Sequence, residues 1–243
     1  MEKKVLTIAL LSLIAGSTIG FLVANRLNRS ELESLRTENA RLRAPAQPVD
    51  DEPTLSDEEL RTRIKKADDD PSDIRYQKNL GVALYRYASM KKDVALLKES
   101  TRLLKRVLAA DRDGFDVNVA LGNAYFDIGY FGSDSAGYAE SRQYYETALK
   151  KKPDDASVRT DYGLTYFLQQ PPDYSRAISE FTAALRSDPK NEKALEFSTQ
   201  AYMKLNDSAN AHKTLEQLKA VNASNPSIAG LASAISANAG AAQ

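Results

Sequence analysis

A dipeptide that ends in a small residue recurs from residue 80 onward, and this repeat is the feature that most restricts the fold. Leu80-Gly81, Leu121-Gly122 and Tyr162-Gly163 follow one another at intervals of 41 residues, and Ser198-Thr199 comes 36 residues after the third pair. The same order of small and large residues surrounds each pair. The large residues are Leu84, Tyr125, Tyr166 and Tyr202; the next small residues are Ser100, Ser141, Ala177 and Ala211; the apolar residues that follow are Leu104, Tyr145, Phe181 and Leu215, then Val107, Ala148, Ala184 and Leu218. Such a period predicts an array of helical units that bury their apolar faces only by stacking on their neighbours.

The pattern resembles the tetratricopeptide repeat (TPR), a helix–turn–helix unit of 34 residues. The third copy, DYGLTYFLQQPPDYSRAISEFTAALRSDPKN, carries the resemblance most clearly, and the whole match extends over about Ile74 to Asn225. The resemblance implies an all-α fold, a TPR α-solenoid in which helix pairs form a right-handed superhelix. The chain departs from the consensus in lacking its Trp everywhere, in having Arg112 for the closing Pro of copy 1, and in having Thr199 for the Gly of copy 4.

The first two copies are each seven residues longer than the 34-residue unit, and the third is two residues longer. All of this extra length can be placed between the paired helices, where added loop residues cost little stability. In copy 2 the insert is Tyr130 to Tyr138 (YFGSDSAGY), which we expect to be a long connection. A loop that uses its exposed aromatics for contacts is the alternative.

Residues 5–24 (VLTIALLSLIAGSTIGFLVA) contain no charged side chain. A helix of this length spans roughly 30 Å, the thickness of the hydrocarbon core of a bilayer. The sequence therefore predicts a single-pass transmembrane anchor over residues 1–24, and a cleaved secretory signal peptide is the alternative. Lys3 and Lys4 favour a cytoplasmic N-terminus, which would place the soluble domain in the periplasm or elsewhere outside the cytoplasm. Further basic residues beyond the apolar run leave the cytoplasmic side open: Arg26, Arg29 and Arg36.

Residues 25–43 (NRLNRSELESLRTENARLR) carry a short heptad pattern. Leu32 and Asn39 fall at position a, and Leu35 and Leu42 fall at position d. An Asn at a with Leu at d favours two parallel strands in register. The pattern predicts a short coiled coil and a parallel homodimer; an amphipathic helix with incidental charges is the alternative.

The remaining boundaries follow from prolines, capping residues and the repeat. A capping box at Ser56 and Glu59 opens the leading helix. The expected segments are a Pro-rich linker at 44–55, the leading helix at 56–70, TPR copies at 74–114, 115–155, 156–191 and 192–225, and a capping helix with a disordered tail at 226–243, the tail being 237–243.

The inventory of reactive side chains argues against an enzyme. The chain has no Cys and one His, so thiolate metal sites and cysteine nucleophiles are excluded, and His212 falls within a helix of copy 4. No nucleophile elbow, zinc-protease motif, phosphate-binding loop or dinucleotide fingerprint is present. Lys+Arg and Asp+Glu both total 33, so the net charge gives no electrostatic reason to expect nucleic acid as a partner. We expect no catalytic residue, no metal and no cofactor.

The TPR resemblance implies a concave groove, lined by the first helix of each pair, that binds an extended peptide or a partner helix. Phe126 and Phe167 suggest an apolar strip with charged ends, suited to an amphipathic partner. The candidate contacts carried over are Arg75, Lys78, Tyr85, Arg86, Asn123, Phe126, Asp127, Asp161, Phe167, Leu168, Lys193, Phe197 and Gln200.

The expected function is that of a membrane-tethered TPR scaffold that binds a partner protein in the bacterial cell envelope. In layout the chain is similar to anchored TPR proteins of cytochrome c maturation and to envelope proteins that join a coiled coil to TPRs. The alternative is a structural envelope protein that self-oligomerises and has no separate peptide ligand.

Overall fold

The computed structural model describes residues 56–110 and 114–241, with side chains as far as residue 237. Within these ranges the chain forms ten α-helices and no strand, so the all-α class is confirmed for this part of the chain. In chain order the helices are α1 (Asp57–Asp69), α2 (Ile74–Lys91), α3 (Val94–Ala110), α4 (Phe115–Gly132), α5 (Ser135–Lys151), α6 (Ala156–Leu168), α7 (Tyr174–Ser187), α8 (Glu192–Lys204), α9 (Ser208–Val221) and α10 (Ser227–Ala241).

The segments predicted N-terminal to Ser56 lie outside the described residues. They are the anchor (1–24), the zipper (25–43, with Leu32, Leu35, Asn39 and Leu42) and the linker (44–55). Across the described ranges, the helices are too short or too polar to cross a bilayer.

Short polar side chains begin most of the helices. The capping box predicted for α1 is present: the Ser56 hydroxyl accepts the amide of Glu59, and the Glu59 carboxylate accepts the amide of Ser56. Carboxylate or amide oxygens accept a first-turn backbone amide in the same way before α2, α5, α6, α7, α8 and α9. Each such cap satisfies an amide that the helix itself cannot, and this fixes where the helix begins.

The helices α2 to α9 form four antiparallel pairs, numbered 1 to 4, in which a glycine or small residue of the first helix meets a large residue of the second. A Cβ built on Gly81 would lie 2.8 Å from Cγ of Leu104, and one built on Gly163 would lie 2.7 Å from Cε1 of Phe181. In pair 1 the Ser100 hydroxyl also donates to the carbonyl of Gly81 at 2.7 Å. The recurring small residues therefore set how closely the paired helices approach.

The extra residues of copies 1 and 2 do not form loops, so the expectation of long connections is wrong. They lengthen both helices of the pair, and only Lys92 and Asp93 join α2 to α3. Lys92 has φ of 55°, and the amide of Asp93 donates to the carbonyl of Ala88 at 2.9 Å, as in a Schellman helix end.

Copy 2 repeats this link at Ser133 and Asp134, so Tyr130 to Tyr138 is a tight helical turn rather than a loop. Beside it, Gly137 of α5 packs on the backbone of α4. A Cβ on Gly137 would lie 2.5 Å from the Gly129 nitrogen. Glycine at both positions lets the lengthened helices remain in contact up to the turn.

The pairs stack in series, because the second helix of each pair packs on the first helix of the next. Leu104 and Val107 of α3, for example, share one apolar cluster with Val117 and Leu121 of α4. The first helices of neighbouring pairs also contact one another, and α10 packs on α8 and α9. Helix α10 extends to Ala241, so residues 237–241, which we expected in a disordered tail, are helical.

Candidate functional site

The first helices of the four pairs, α2, α4, α6 and α8, lie side by side, and we call the surface they form the A-helix face. All thirteen candidate contact residues lie on these four helices. The candidates nevertheless differ in surroundings: some join a polar network, some pack as aromatics, and some lie exposed at the rim.

The polar network begins between α2 and α4. The Ser89 hydroxyl donates to Oδ2 of Asp127 at 2.5 Å, linking the first helix of pair 1 to that of pair 2. The Tyr145 hydroxyl, from α5, donates to Oδ1 of Asn123 at 2.7 Å. Tyr85 belongs to the same network through side-chain hydrogen bonds with Asn123 and Ser89. Burial and the nearby Asp127 carboxylate raise the pKa of its phenol to about 12.

The network continues across α6 to α8. Nζ of Lys193 lies 2.7 Å from Oδ1 of Asp161, an ion pair between the first helices of pairs 3 and 4. Burial raises the pKa of Asp127, and the neighbouring Asp161 carboxylate raises it further, while the Ser89 hydrogen bond and Lys193 lower it. Two carboxylates and one ammonium group therefore share the middle of the A-helix face, and the structure brings together five of the predicted residues there: Tyr85, Asn123, Asp127, Asp161 and Lys193.

The aromatic candidates belong to the packing between helices as much as to the surface. Phe126 stacks on Tyr130 at 6.5 Å and meets Tyr138 edge-on at 5.5 Å. Phe167 contacts Phe197 edge-on at 5.3 Å, which joins α6 to α8. All three phenylalanines are half-buried against the core of the stack. Phe126 and Phe167 thus take part in different ring contacts, while all three phenylalanines pack against the same apolar cluster.

The remaining candidates lie toward the ends of the face. Arg75 and Arg86 are exposed on α2. Nζ of Lys78 lies 3.9 Å from Asp116 in an exposed pair. Gln200 donates to Glu196 at 3.4 Å on α8, and Leu168 is half-buried at the end of α6.

Sequence reasoning missed two members of the network, Ser89 and Tyr145. Ser89 comes after the repeat residues of the first helix of copy 1, where the spacing predicts a connection, but it occupies an added turn of α2. Tyr145 was assigned to the core, and its ring is indeed 1% exposed, but its hydroxyl reaches Asn123. A polar atom at the end of a buried aromatic is the signal that could have found it, since such hydroxyls need a partner.

The chemistry available at this face is hydrogen bonding and charge pairing. Ser89 and Asp127 form a hydroxyl–carboxylate pair, but His212 is exposed on α9, in pair 4. In residues 56–110 and 114–241, no three or more His, Cys, Asp or Glu side chains are grouped so as to hold a metal ion. The arrangement fits recognition of polar and charged groups on another molecule.

Comparison with known proteins agrees with this geometry. A model of the tetratricopeptide repeat family matches residues 172–235, which contain α7, α8, α9 and the first part of α10. No curated protein matches the sequence.

Solved structures with the same arrangement of helices include several forms of MamA. The structure titled "MamA MSR-1 C2" is 19% identical, with 68% of this chain and 86% of that one covered and a TM-score of 0.54. "MamA 41-end from Desulfovibrio magneticus RS-1" is 17% identical, with 70% and 86% covered and a TM-score of 0.53. TTC0263, a thermophilic TPR protein in Thermus thermophilus, is 15% identical, with 74% and 90% covered and a TM-score of 0.52. At these identities the likeness concerns the fold.

Proposed function

We propose that the chain, whose residues 172–235 match the tetratricopeptide repeat family, is a non-enzymatic scaffold that holds a partner polypeptide along the A-helix face. The observation that carries this proposal is the polar network of Tyr85, Asn123, Asp127, Asp161 and Lys193, which crosses the first helices of all four pairs. Half-buried carboxylates next to exposed cations are suited to fixing the register and direction of a bound chain, since charge pairs contribute specificity more than affinity.

The partner that fits this face is a segment with both apolar and basic groups. Basic or amide side chains of the segment would meet Asp127 and Asp161, whereas acidic groups would meet Arg75 and Arg86 at the end formed by α2. Apolar groups would lie against Phe126 and Leu168. An amphipathic helix or an extended peptide offers such groups at regular spacing.

The position of the scaffold in the cell forms part of the proposal. The apolar run at residues 5–24 supports a membrane tether, and the heptads that follow support a parallel homodimer. Lys3 and Lys4 favour a soluble domain outside the cytoplasm. A tethered dimer would present two A-helix faces. A partner with two binding segments would then bind more tightly, because binding of the first segment raises the effective concentration of the second.

The test is capture of a partner by the full chain after chemical cross-linking in membranes. Arg75 and Arg86 are replaced together by Glu, since both are exposed and their loss leaves the core intact. The proposal predicts that the captured protein is lost with this double variant and retained with the matched control, in which the exposed Lys98 of α3 and Lys150 of α5 are replaced by Glu. Capture of only a second copy of this chain, insensitive to both variants, would support the self-oligomerising alternative instead.

A further inference from the structure

A cavity of about 240 Å³ lies between α7 and α9, the second helices of pairs 3 and 4, above α8. Its lining comes from all three helices and combines polar and apolar surface. The lining includes Arg186, Ser198, Lys213 and Gln217. None of them is among the candidates of the A-helix face.

The cavity has its origin in the repeat. The residue that precedes the small residue of each first helix is large and buried in the first three copies, as Leu80, Leu121 and Tyr162. In pair 3 the Tyr162 side chain fills this position, and its hydroxyl donates to Glu146 at 2.6 Å. In pair 4 the equivalent residue is Ser198, whose short side chain is part of the lining of the cavity.

Ser198 is 2% exposed, and its buried hydroxyl has no hydrogen-bond partner in the described part of the chain. A buried hydroxyl without a partner is costly, and most native proteins avoid it. Its neighbour does not share this property, since the Thr199 hydroxyl bonds to that of Thr214 at 2.8 Å. A buried hydroxyl that lacks a hydrogen-bond partner, on a residue that lines a cavity, indicates that a ligand with a polar group binds in that cavity.

Two cations line the same cavity, Arg186 from α7 and Lys213 from α9. In the part of the chain that the structure describes, no carboxylate lies within ion-pair distance of either side chain. The lining itself contains no acidic residue, and Gln217 adds an amide. Arginine and lysine together bind oxyanions through charge-assisted hydrogen bonds, which are about twice as strong as neutral ones.

We propose that this cavity binds a small free hydroxy acid, whose carboxylate is held by Arg186 and Lys213 and whose hydroxyl bonds to Ser198. The volume is below the range of about 300–1,000 Å³ that holds drug-sized ligands, so the ligand has only a few carbon atoms. The binding site is independent of the A-helix face, and either assignment can fail without the other.

The test is isothermal titration of the full chain with malate, which carries carboxylates and a hydroxyl, and with succinate, which lacks the hydroxyl. Malate is expected to bind and succinate to bind more weakly. Lys213→Gln and Arg186→Gln are each expected to weaken malate binding about tenfold, because each removes a charge-assisted hydrogen bond. Lys190→Gln, an exposed cation outside the cavity, is the matched control and is expected to change nothing.

Two changes at Ser198 test the cavity itself. Ser198→Tyr introduces the residue that pair 3 has at this position, and it is expected to abolish malate binding. Ser198→Ala keeps the space and removes the hydroxyl, and it is expected to make malate bind no better than succinate. Circular dichroism establishes that both variants are folded.

Three results would overturn the assignment. The first is malate binding weaker than roughly 1 mM in the unaltered chain. The second is binding that Lys190→Gln weakens as much as Lys213→Gln does, since this would indicate attraction to the general surface. The third is binding of trialanine, with its free C-terminal carboxylate, in the absence of malate binding, which would make the ligand a peptide end.

Discussion

A Cβ built on Gly122 would lie 2.5 Å from Cδ1 of Tyr145, so the ring of α5 occupies the space that any side chain at position 122 would need. The same relationship joins Gly81 to Leu104 and Gly163 to Phe181. Three large residues of different shape thus meet a glycine at the same place in the repeat. The close approach of each helix pair depends on that absence of a side chain.

Replacing Gly122 by Ala is expected to lower the free energy of unfolding by about 1–3 kcal/mol, the usual cost of overpacking a core. The Tyr145 ring is rigid and 1% exposed, so it cannot move aside as a flexible side chain would. Chemical denaturation of the two proteins measures the difference.

The matched control is Gly230→Ala in α10, where a new Cβ would meet nothing within 4 Å. Alanine is the better helix former, so this change should raise the free energy of unfolding by roughly 0.5–1 kcal/mol. If Gly122→Ala stabilised the chain as much as Gly230→Ala does, the proposed packing of α4 on α5 would be wrong.

Replacing Lys92, in the two-residue link of pair 1, by glycine is expected to stabilise the chain. Lys92 has φ of 55°, a left-handed conformation that costs a non-glycine residue about 1–2 kcal/mol. Lys92→Gly should therefore raise the midpoint of denaturation, after some loss to the greater freedom of the unfolded chain. Lys98→Gly, at an exposed position inside α3, should lower it by contrast. Equal destabilisation by both changes would mean that the chain does not turn at Lys92.

Asp127 gives a prediction about pH. Burial raises the pKa of its carboxyl above the ordinary value of 3.8, so the folded chain holds this proton more readily than the unfolded chain does. The contribution of Asp127 to stability therefore falls as the pH rises from below 3.8 through the folded-state pKa. Asp127→Asn removes the charge and should stabilise the chain at pH 7, with a difference from the unaltered chain that disappears in acid.

The control for this pH series is Asp116→Asn, at an exposed carboxylate on the same helix. Its effect is expected to stay within about 0.5 kcal/mol, as for most surface changes. The interpretation of Asp127 fails if Asp127→Asn is destabilising at pH 7 and the loss does not depend on pH.

Helix α1 is attached to pair 1 through Asp68. Its carboxylate accepts two hydrogen bonds from Arg102, at 2.6 and 3.1 Å, and a third from Arg106 at 2.7 Å. The hydrogen bond from Arg102 is the main cause that lowers the pKa of Asp68. The stabilisation is therefore present above the unfolded-state pKa of Asp68 and is lost as the pH falls through its folded value.

Asp68→Asn is expected to speed amide hydrogen exchange in α1 and to leave exchange in α8 and α9 unchanged, because stacked repeats unfold partly independently. Asp69→Asn, which breaks only the exposed pair with Lys65 inside α1, is the control. Equal exchange in the two variants would show that Asp68 does not hold α1 in place.

The pairing of small and large residues could be predicted from the sequence because it is a local, repeated pattern. Gly81 and Leu104, or Gly163 and Phe181, meet as their spacing indicated. The longer helices of copies 1 and 2 could not be predicted, because the prediction assumed that every copy has helices of the length found in the 34-residue unit. Copy 3 has consecutive prolines at 171 and 172, which end its first helix early. In copy 1, residues 82–99 contain no proline, and the first helix continues to Lys91.

The site was predicted in part for the same reason. Side chains at regular positions on the first helices, such as Asp127 and Asp161, could be assigned to one face. Ser89 could not, because it belongs to an added turn, and the contribution of Tyr145 depends on an atom at the far end of a core side chain. Contacts between neighbouring pairs are not encoded in the spacing within one pair.

The central claim is that a partner polypeptide lies along the A-helix face, and site-specific photo-cross-linking tests it most directly. A photoreactive amino acid replaces Asn79, exposed on α2 one turn from Arg75, or Gln143, exposed on α5, in the full chain. The account predicts a cross-linked heterologous polypeptide from position 79 and none from position 143. The same polypeptide cross-linked equally from both positions, or only from position 143, would contradict it.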